Sequence, residues 1–489
     1  MAKEKNDVKL KKPDENAGLG LSIDKKTVVM ISLVLLALWV LAGVLTQVLP
    51  TGAYDTVEEA IVPDTYHAID ERLPIWKIIL SPLLCFTSSY AMAGVGIIVV
   101  IILVGGSFLL LDKSGVLKYI MATLIRKYEK KKYLLMAVVI FACMLLSSTA
   151  GVLEESVTLV PLAVAISLAL GWDSLVGLGI SLISIAWGFT AATFNPFNVV
   201  TVQKLADLDV YSGLWLRCII FVLVYAVLFL FLFFYARKIE KNPTKSIVYE
   251  SDKALREKYT IADMNAVLSD KAAAKSAKFF LICMLIDLVC IILDLVIDLG
   301  GMLSLGAMAL LFTLGGLYAG YSTGLRGKKL ASGFFEGAKT LAPVIPLIIF
   351  IIAISYILNE GNIMHTILYK VDSAMKGMSP YGAIFILFGL IALLEFFIGS
   401  GTAKAFLIMP IVAPLSDLVG ITRQSVVTTF CMADGFTNLL YPTSGIMIIA
   451  IGLVGVSYGK WLKWSWKLFV GEFILAAAVM AFMVKINYM

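Results

Sequence analysis

The sequence predicts an all-α polytopic membrane protein, arranged as an inverted repeat with two re-entrant hairpins and two discontinuous helices. Of the 489 residues, 60% are hydrophobic and only 15% are charged, whereas soluble domains have about 45–50% apolar and about 25% charged residues. Many apolar runs reach about 20 residues, the length that spans a bilayer. Small polar residues interrupt such runs at matching places in the two halves of the chain.

The first apolar run, residues 28–49, predicts the first membrane span. It is too long for the apolar region of a signal peptide and lacks a small-residue cleavage site. The lysine-rich residues 1–27 precede it, and positive charge marks the cytoplasmic side. We therefore expect a multi-pass protein of the bacterial cytoplasmic membrane with a cytoplasmic N-terminal tail. The net charge of +6 is explained by cytoplasmic loops, so no nucleic-acid partner is expected.

A polar, lysine-rich segment divides the remaining chain into two similar halves. We expect it to be a solvated cytoplasmic linker between two repeats. The predicted units are the first repeat at 28–236, with a hairpin at about 133–170 and a broken helix at about 175–207; the linker at 237–277; and the second repeat at 278–489, with a hairpin at about 381–416 and a broken helix at about 421–456.

Each predicted hairpin has a tip of small polar residues, Ser147-Ser148-Thr149-Ala150 in the first half and Ser400-Gly401-Thr402-Ala403 in the second. In the first hairpin, neither limb is long enough for a comfortable span. Loop charges place the open end of the first hairpin in the cytoplasm and that of the second outside. The halves are therefore predicted to be inverted, and paired broken segments in inverted halves indicate a transporter binding site.

The tips and helix breaks supply the candidate substrate-binding residues. Helix N-termini attract carboxylates, unwound carbonyls hold cations, and asparagine both donates and accepts hydrogen bonds. Ordinary helix packing or capping of the broken ends would explain the same residue types. The candidates are Ser147, Ser148, Thr149, Asn195, Asn198, Ser400, Gly401, Thr402, Asn438, Thr443 and Ser444.

Charged residues inside or beside apolar segments form a second candidate set. Because ions are costly in a membrane, they are functional hypotheses by default. The acids could carry a proton, hold a substrate cation, or pair with a nearby Lys or Arg. Lys404 follows a helix start that repels cations, so it needs either a substrate carboxylate or an acid such as Glu395 or Asp434 nearby, unless it reaches water. The set is Glu154, Glu155, Glu395, Lys404 and Asp434.

The chain resembles the C4-dicarboxylate anaerobic carrier family over roughly residues 28–485, in particular its YfcC-like branch of basic amino acid or arginine–ornithine antiporters. The most specific stretches are Gly151-Val152-Leu153-Glu154-Glu155, Phe194-Asn195-Pro196-Phe197, and Asp434-Gly435-Phe436-Thr437-Asn438 with Pro442-Thr443-Ser444-Gly445.

The tips are also distantly similar to the Ser-Asn-Thr hairpins of sodium-coupled dicarboxylate carriers in the wider ion-transporter superfamily. This similarity implies an elevator-type homodimer. Both tips lack the middle Asn, and Lys404 stands where the family usually has Gln. Because the corresponding region resembles a sodium site, we expect the Lys404 ammonium to replace sodium there. Ion coupling would then run through the first hairpin or through protons.

These observations favour a secondary transporter, acting as a symporter or antiporter, over a channel or an enzyme. Paired closed hairpins suggest occlusion of the substrate, and no Walker loop is present. His67 and His365 have no metal-ligand partner at useful spacing, so no metal site is predicted. No cofactor is expected beyond Na⁺ or H⁺ as a coupling ion. The acids favour a cationic amino acid and Lys404 favours a C4-dicarboxylate or another small organic anion; an amino acid satisfies both.

Overall fold

The described residues are mainly α-helical, as the apolar pattern predicts. One exception lies after the first helix, where β1 Thr51–Ala53 pairs with β4 His67–Ile69 and β2 Thr56–Val57 pairs with β3 Ala60–Ile61, both antiparallel. The all-α prediction is wrong for this loop, because its backbone groups find partners by strand pairing. The computed structural model describes residues 25–57, 60–62, 65–87, 91–153, 156–259, 264–297, 302–375 and 377–489.

The first half places two helices where the first hairpin is predicted. The first of them ends at Ala150 and is capped by Gly151, which has φ +73° and so takes the left-handed conformation that favours glycine. The helices of this half are α1 Lys25–Val48, α2 Ile75–Leu84, α3 Ala91–Lys113, α4 Val116–Tyr128, α5 Lys132–Ala150, α6 Ser156–Ala169, α7 Ser174–Leu178, α8 Ser184–Thr190, α9 Thr201–Leu205 and α10 Leu214–Lys241.

The segment from α7 to α9 is discontinuous. A π-helical turn, Gly179–Ile183, joins α7 to α8, and a second π-helical turn, Pro196–Val200, leads into α9. Between α8 and the second turn the chain leaves helical geometry at residues 191–195. Such turns leave backbone groups outside the regular α-helical pattern and are frequent at functional sites.

The segment between the halves contains two short helices, α11 Tyr249–Tyr259 and α12 Met264–Ser269. Its Asp252 is only 1% exposed. The Asp252 carboxylate accepts hydrogen bonds from the backbone N–H and the hydroxyl of Ser174, each at 2.8 Å. Through this acid the segment docks onto the start of α7, while most of its described residues are exposed or half-buried.

The second half includes one helix that the sequence reading does not predict, α15. It packs against α3, where a Cβ on Gly337 would lie 2.4 Å from the Gly105 carbonyl oxygen. The helices are α13 Lys271–Ile297, α14 Met302–Ser322, α15 Lys328–Leu341, α16 Ile345–Glu360, α17 Ile363–Met375, α18 Pro380–Glu395, α19 Gly401–Leu418, α20 Arg423–Thr437, α21 Gly445–Val454 and α22 Tyr458–Ile486.

Within the described residues, four helices are long and apolar enough to cross a membrane: α5, α10, α19 and α22. A fifth candidate is the bent pair formed by α15 and α16, which meet at 45°. The expectation that both limbs of the first hairpin are too short to span is wrong for α5, because its 19 residues reach the necessary length. The faces from which the hairpins enter the membrane stay a prediction.

The limbs of each predicted hairpin pack against the broken helix that follows them. In the first half α5 contacts α8 and α6 contacts α7, and in the second half α18 and α19 both contact α20. The two broken helices also contact each other, and a Cβ on Gly435 of α20 would lie 2.1 Å from Thr190 Oγ1 of α8. This close approach brings the helix breaks of the two halves together.

Candidate functional site

A buried ion cluster lies at the second predicted tip. Ser400 caps α19 by accepting a hydrogen bond from the Ala403 N–H, and Lys404 follows on the first turn. The Lys404 side chain is fully buried. Its Nζ lies 2.5 Å from Asp434 Oδ1 of α20 and also pairs with Glu395, the last residue of α18. Three helices therefore contribute one charged group each to a single cluster.

The cluster has more negative than positive charge. One ammonium faces two carboxylates, so the fully ionised Lys404, Glu395 and Asp434 carry a net charge of −1. Burying an uncompensated charge is costly. A proton or another cation in the cluster would offset that charge.

The break of the first discontinuous helix contacts this cluster. Asn198 donates a hydrogen bond from Nδ2 to Asp434 Oδ2 at 3.4 Å. The Thr402 hydroxyl donates to the Phe197 carbonyl at 3.3 Å. Residues from both halves therefore line one buried region, which places five of the sequence-predicted candidates together: Asn198, Glu395, Thr402, Lys404 and Asp434.

Two asparagines at this break each have one side-chain group without a hydrogen-bond partner within the described residues. Asn195 Oδ1 accepts from the backbone N–H groups of Phe197 and Asn198, at 2.9 and 3.2 Å. Its Nδ2 has no hydrogen-bond partner within the described residues, and neither does Asn198 Oδ1. Both side chains are fully buried. The break thus offers one free donor and one free acceptor, which suits a ligand with carboxylate and amino groups.

The hydroxyl groups of the first tip donate within the protein. Ser147 donates to the Val152 carbonyl at 2.6 Å, Ser148 to the Ala191 carbonyl at 2.7 Å, and Thr149 to the Leu145 carbonyl of its own helix at 2.7 Å. The Ser148 carbonyl in turn accepts from the backbone N–H groups of residues 193–195. These bonds fasten the tip to the helix break, and a ligand would find the hydroxyls available only as acceptors.

Of the remaining second-half candidates, Gly401 and Asn438 adjoin Asp434, and Thr443 and Ser444 lie at the start of α21. A Cβ on Gly401 would lie 3.1 Å from Asp434 Oδ2, so glycine allows the close approach of the carboxylate. Asn438 Nδ2 donates to the Asp434 carbonyl at 3.2 Å. Ser444 caps α21 by accepting from the Met447 N–H, while Thr443 Oγ1 has no partner within the described residues. Glu154 and Glu155, predicted as ion-coupling acids, lie outside the described residues.

Buried charged residues outside the sequence-based candidates include Glu472 and Arg217. Glu472 of α22 is fully buried, and both of its carboxylate oxygens are without a hydrogen-bond partner in the described part of the chain. Arg217 of α10 is 2% exposed. Its three guanidinium nitrogens also have no hydrogen-bond partner within the described residues. The rule that an ion inside an apolar run is a functional hypothesis would have identified both residues.

Comparisons with known proteins identify a family of carriers. The family model described as C4-dicarboxylate anaerobic carrier, DcuC, matches residues 29–485. An Escherichia coli (strain K12) protein named "Putative basic amino acid antiporter YfcC" is 28% identical over 402 residues, which cover 80% of this chain and 78% of the relative. An uncharacterized protein of Haemophilus influenzae (strain ATCC 51907) is 27% identical over 389 residues, covering 79% of this chain and 74% of that protein.

A solved structure of the Alcanivorax borkumensis YdaH transporter is also similar to this chain. It aligns with a TM-score of 0.43 at 19% identity, covering 93% of this chain and 98% of that one. The family resemblance seen in the sequence is confirmed by the family model, which spans nearly the whole chain. The protein is therefore a membrane transporter that belongs to the C4-dicarboxylate anaerobic carrier family.

Proposed function

We propose that this transporter is a secondary carrier that exchanges a cationic amino acid, such as arginine or ornithine, across the bacterial cytoplasmic membrane. The observation that carries this assignment is the pairing of Lys404 with two acids. A lysine already neutralised by Asp434 and Glu395 has little charge left for a dicarboxylate. The remaining negative charge instead favours a ligand that brings a positive group, because opposite charges attract strongly in a low-dielectric interior.

The carboxylate and amino groups of an amino acid also need partners. Among the candidate residues of the two helix breaks, Asn195 Nδ2 and Thr443 Oγ1 are buried donors without a partner in the described residues. A free acceptor, Asn198 Oδ1, lies beside Asp434. Donors and acceptors on the two helix breaks thus match a zwitterionic backbone together with a cationic side chain. The name of the Escherichia coli relative, which is 28% identical to this chain, agrees with this substrate class.

The mechanism that we propose is an elevator movement within a homodimer, as the distant similarity of the tips implies. The packing of the broken helices supports it, because α8 and α20 contact each other closely enough to move as one unit. A proton is the coupling ion that we favour over sodium, since the Lys404 ammonium occupies the second tip.

A C4-dicarboxylate carrier is the second candidate, and the family description favours it. Lys404 would then release one of its acids and bind a substrate carboxylate. The two candidates differ in what they require of the acids: a dicarboxylate needs at least one acid protonated, whereas a cationic amino acid needs both ionised.

A thermal-shift screen of the purified protein against amino acids and dicarboxylates, with and without sodium, separates these functions. A ligand that binds only the folded state raises the unfolding temperature with concentration. We expect arginine or ornithine to raise it, succinate to leave it unchanged, and sodium to make no difference. Stabilisation by succinate alone would contradict the amino acid assignment and support the dicarboxylate one.

A further inference from the structure

Glu472 is a buried acid at the midpoint of α22, a helix that is long and apolar enough to cross a membrane. Its side chain is fully buried, and neither carboxylate oxygen has a hydrogen-bond partner within the described residues. A carboxylate at the centre of a bilayer is costly, and such residues mark ion and proton pathways. The group is therefore stable at this position only when a proton or another cation neutralises it.

The face of α22 around Glu472 is apolar. Leu468 and Ala476, one turn before and one turn after it, are buried with it. The ring of the next residue, Phe473, contacts Phe388 of α18 with centroids 5.8 Å apart. These side chains supply neither a charge nor a hydrogen bond to the carboxyl group.

Two ring contacts place Glu472 relative to α10. Trp215, near the start of α10, contacts Tyr488 with centroids 5.8 Å apart. Phe231, in the second half of α10, contacts Trp464 with centroids 5.3 Å apart. The two helices are therefore antiparallel, and Glu472 lies between these two contacts.

The buried ionisable groups on the neighbouring helices do not neutralise Glu472. Of the helices that pack against α22, which are α10, α18, α20 and α21, the last has no ionisable residue. The buried ionisable residues of the other three are Arg217, Glu395, Cys431 and Asp434. Glu395 and Asp434 are acids that already pair with Lys404. Arg217 lies beside the contact at the end of α22, about 20 Å from Glu472 along the helix axis at about 1.5 Å per residue.

A proton suits this position, whereas a metal ion does not. Metal cations such as Ca²⁺ take several oxygen ligands, and Na⁺ in transporters is held by unwound backbone carbonyls. Helix α22 continues through Glu472 without a break, so its carbonyls in this region are engaged in helical hydrogen bonds. A single carboxyl group in apolar surroundings can bind a proton without further ligands.

We propose that Glu472 binds the proton that is coupled to substrate transport. Helix α22 packs against α18 and α20, which carry Glu395 and Asp434, so movement of the Lys404 cluster changes the packing around Glu472. The carboxylate takes the proton from water on one side of the membrane and returns it to water on the other. The coupling rests on the proposed function, whereas the binding of a proton at Glu472 does not.

Labelling with dicyclohexylcarbodiimide tests the bound proton in the native protein without substrate. This apolar reagent adds to a protonated carboxyl group and leaves an N-acylurea, which mass spectrometry assigns to a residue. We expect labelling of Glu472 at acid pH, falling about tenfold or more across the pH range in which the group ionises. Either no adduct on Glu472 or the same labelling at every pH would overturn the proposal, because the group would then never hold the proton or never release it.

Proteoliposomes with an imposed pH gradient test the coupling. Glu472→Gln keeps the size of the side chain and removes the ionisable group. Ser465→Ala is the matched control on the same buried face, since the Ser465 hydroxyl donates to the Trp461 carbonyl of its own helix at 2.7 Å. Accumulation of labelled arginine in vesicles loaded with ornithine is measured with the membrane potential clamped at zero and normalised to counterflow at equal pH.

If one proton moves with each substrate, a gradient of one pH unit changes the accumulation ratio about tenfold. We expect this response in the native and Ser465→Ala proteins and its loss in Glu472→Gln. A response that persists in Glu472→Gln, or that is absent from the native protein, contradicts the proposal. Should Glu472→Gln fail to fold, carbodiimide treatment of the native protein takes its place, and modification of Glu472 should abolish the response.

Failure of the native protein to exchange arginine would contradict the proposed function instead. The gradient experiment is then performed with succinate, the substrate of the second candidate function, and the same comparison of variants decides the role of Glu472. The carbodiimide labelling needs no substrate, so the two failures are distinguishable.

Discussion

The ammonium nitrogen of Lys404 lies 2.5 Å from Oδ1 of Asp434, and the two residues belong to different helices of the second half. Glu395 completes the contact from a third helix. Asn198, at the helix break of the first half, also contacts Asp434. The Lys404–Asp434 ion pair therefore lies where the helix break of the first half contacts the second half.

Removing the ammonium should destabilise the protein. Lys404→Met leaves two carboxylates buried side by side, and we expect a loss of about 3–5 kcal/mol of folding free energy, since breaking a buried ion pair leaves charge uncompensated. Thermal unfolding in detergent at pH 7 measures the change. The double variant Lys404→Met with Asp434→Asn should recover part of the loss; no recovery would show that the cost is one of packing and not of charge.

Sodium dependence should change with residue 404. If the ammonium replaces a sodium ion at the second tip, transport by the native protein is independent of sodium, whereas Lys404→Gln acquires a sodium requirement. Initial transport rates at increasing sodium, with choline keeping the ionic strength constant, provide the measurement. Steep multi-ion sodium dependence of the native protein that persists unaltered in Lys404→Gln would show that the idea is wrong.

The polar residues of the helix breaks and the second tip should determine affinity. Alanine at Asn195, Thr402 or Asn438 should weaken substrate binding roughly tenfold or more, because losing a hydrogen bond to a charged group costs about 1.5–3 kcal/mol. We expect the same loss for Thr149→Ala if its oxygen accepts from the substrate, although its proton is donated to Leu145. Binding isotherms from the thermal shifts measure it, and unchanged affinity and transport in all four variants would exclude a shared cavity.

The docking of the segment between the halves should depend on pH. Burial raises the pKa of Asp252 from 3.8 to about 6, with Asp173 contributing in the same direction and Ser174 and Arg256 opposing it. The Asp252 carboxyl therefore holds its proton more tightly when the segment is docked than when it is undocked. Docking is strongest below about pH 4 and weakens as pH rises through about 6. Hydrogen exchange of Tyr249–Tyr259, corrected for intrinsic rates, should show protection falling over this range.

Two variants make the pH test specific. Asp252→Asn should abolish the pH dependence of protection, because the amide does not titrate, while Glu257→Gln on the exposed side of the same helix should retain it. A pH dependence that survives in Asp252→Asn would assign the effect to another group.

The sequence predicted much of the helical pattern because apolar runs and their polar interruptions are local signals. It also named Glu395 and Asp434 as alternative partners for Lys404, and the structure shows that Lys404 contacts both. Only the packing of three helices could reveal this, since Glu395, Lys404 and Asp434 lie on three different helices. The same limit applies to Asp252, whose partner Ser174 lies 78 positions away.

Other features were within reach of the sequence. Arg217 and Glu472 are single charges inside long apolar runs, and the rule used for Glu395 applies to them equally. The strands after the first helix were harder to foresee, because pairs of two or three residues give no reliable periodic signal. Helix α15 carries both charged and apolar residues, so hydropathy alone did not identify it.

The most direct test of the proposed function is counterflow in proteoliposomes loaded with unlabelled ornithine. We expect that labelled arginine accumulates transiently inside, that succinate does not replace ornithine, and that Asp434→Asn reduces the rate at least tenfold, because it removes a carboxylate from the cluster. A channel would show no such exchange. Counterflow of labelled succinate against succinate, with no exchange of arginine for ornithine, would contradict the account.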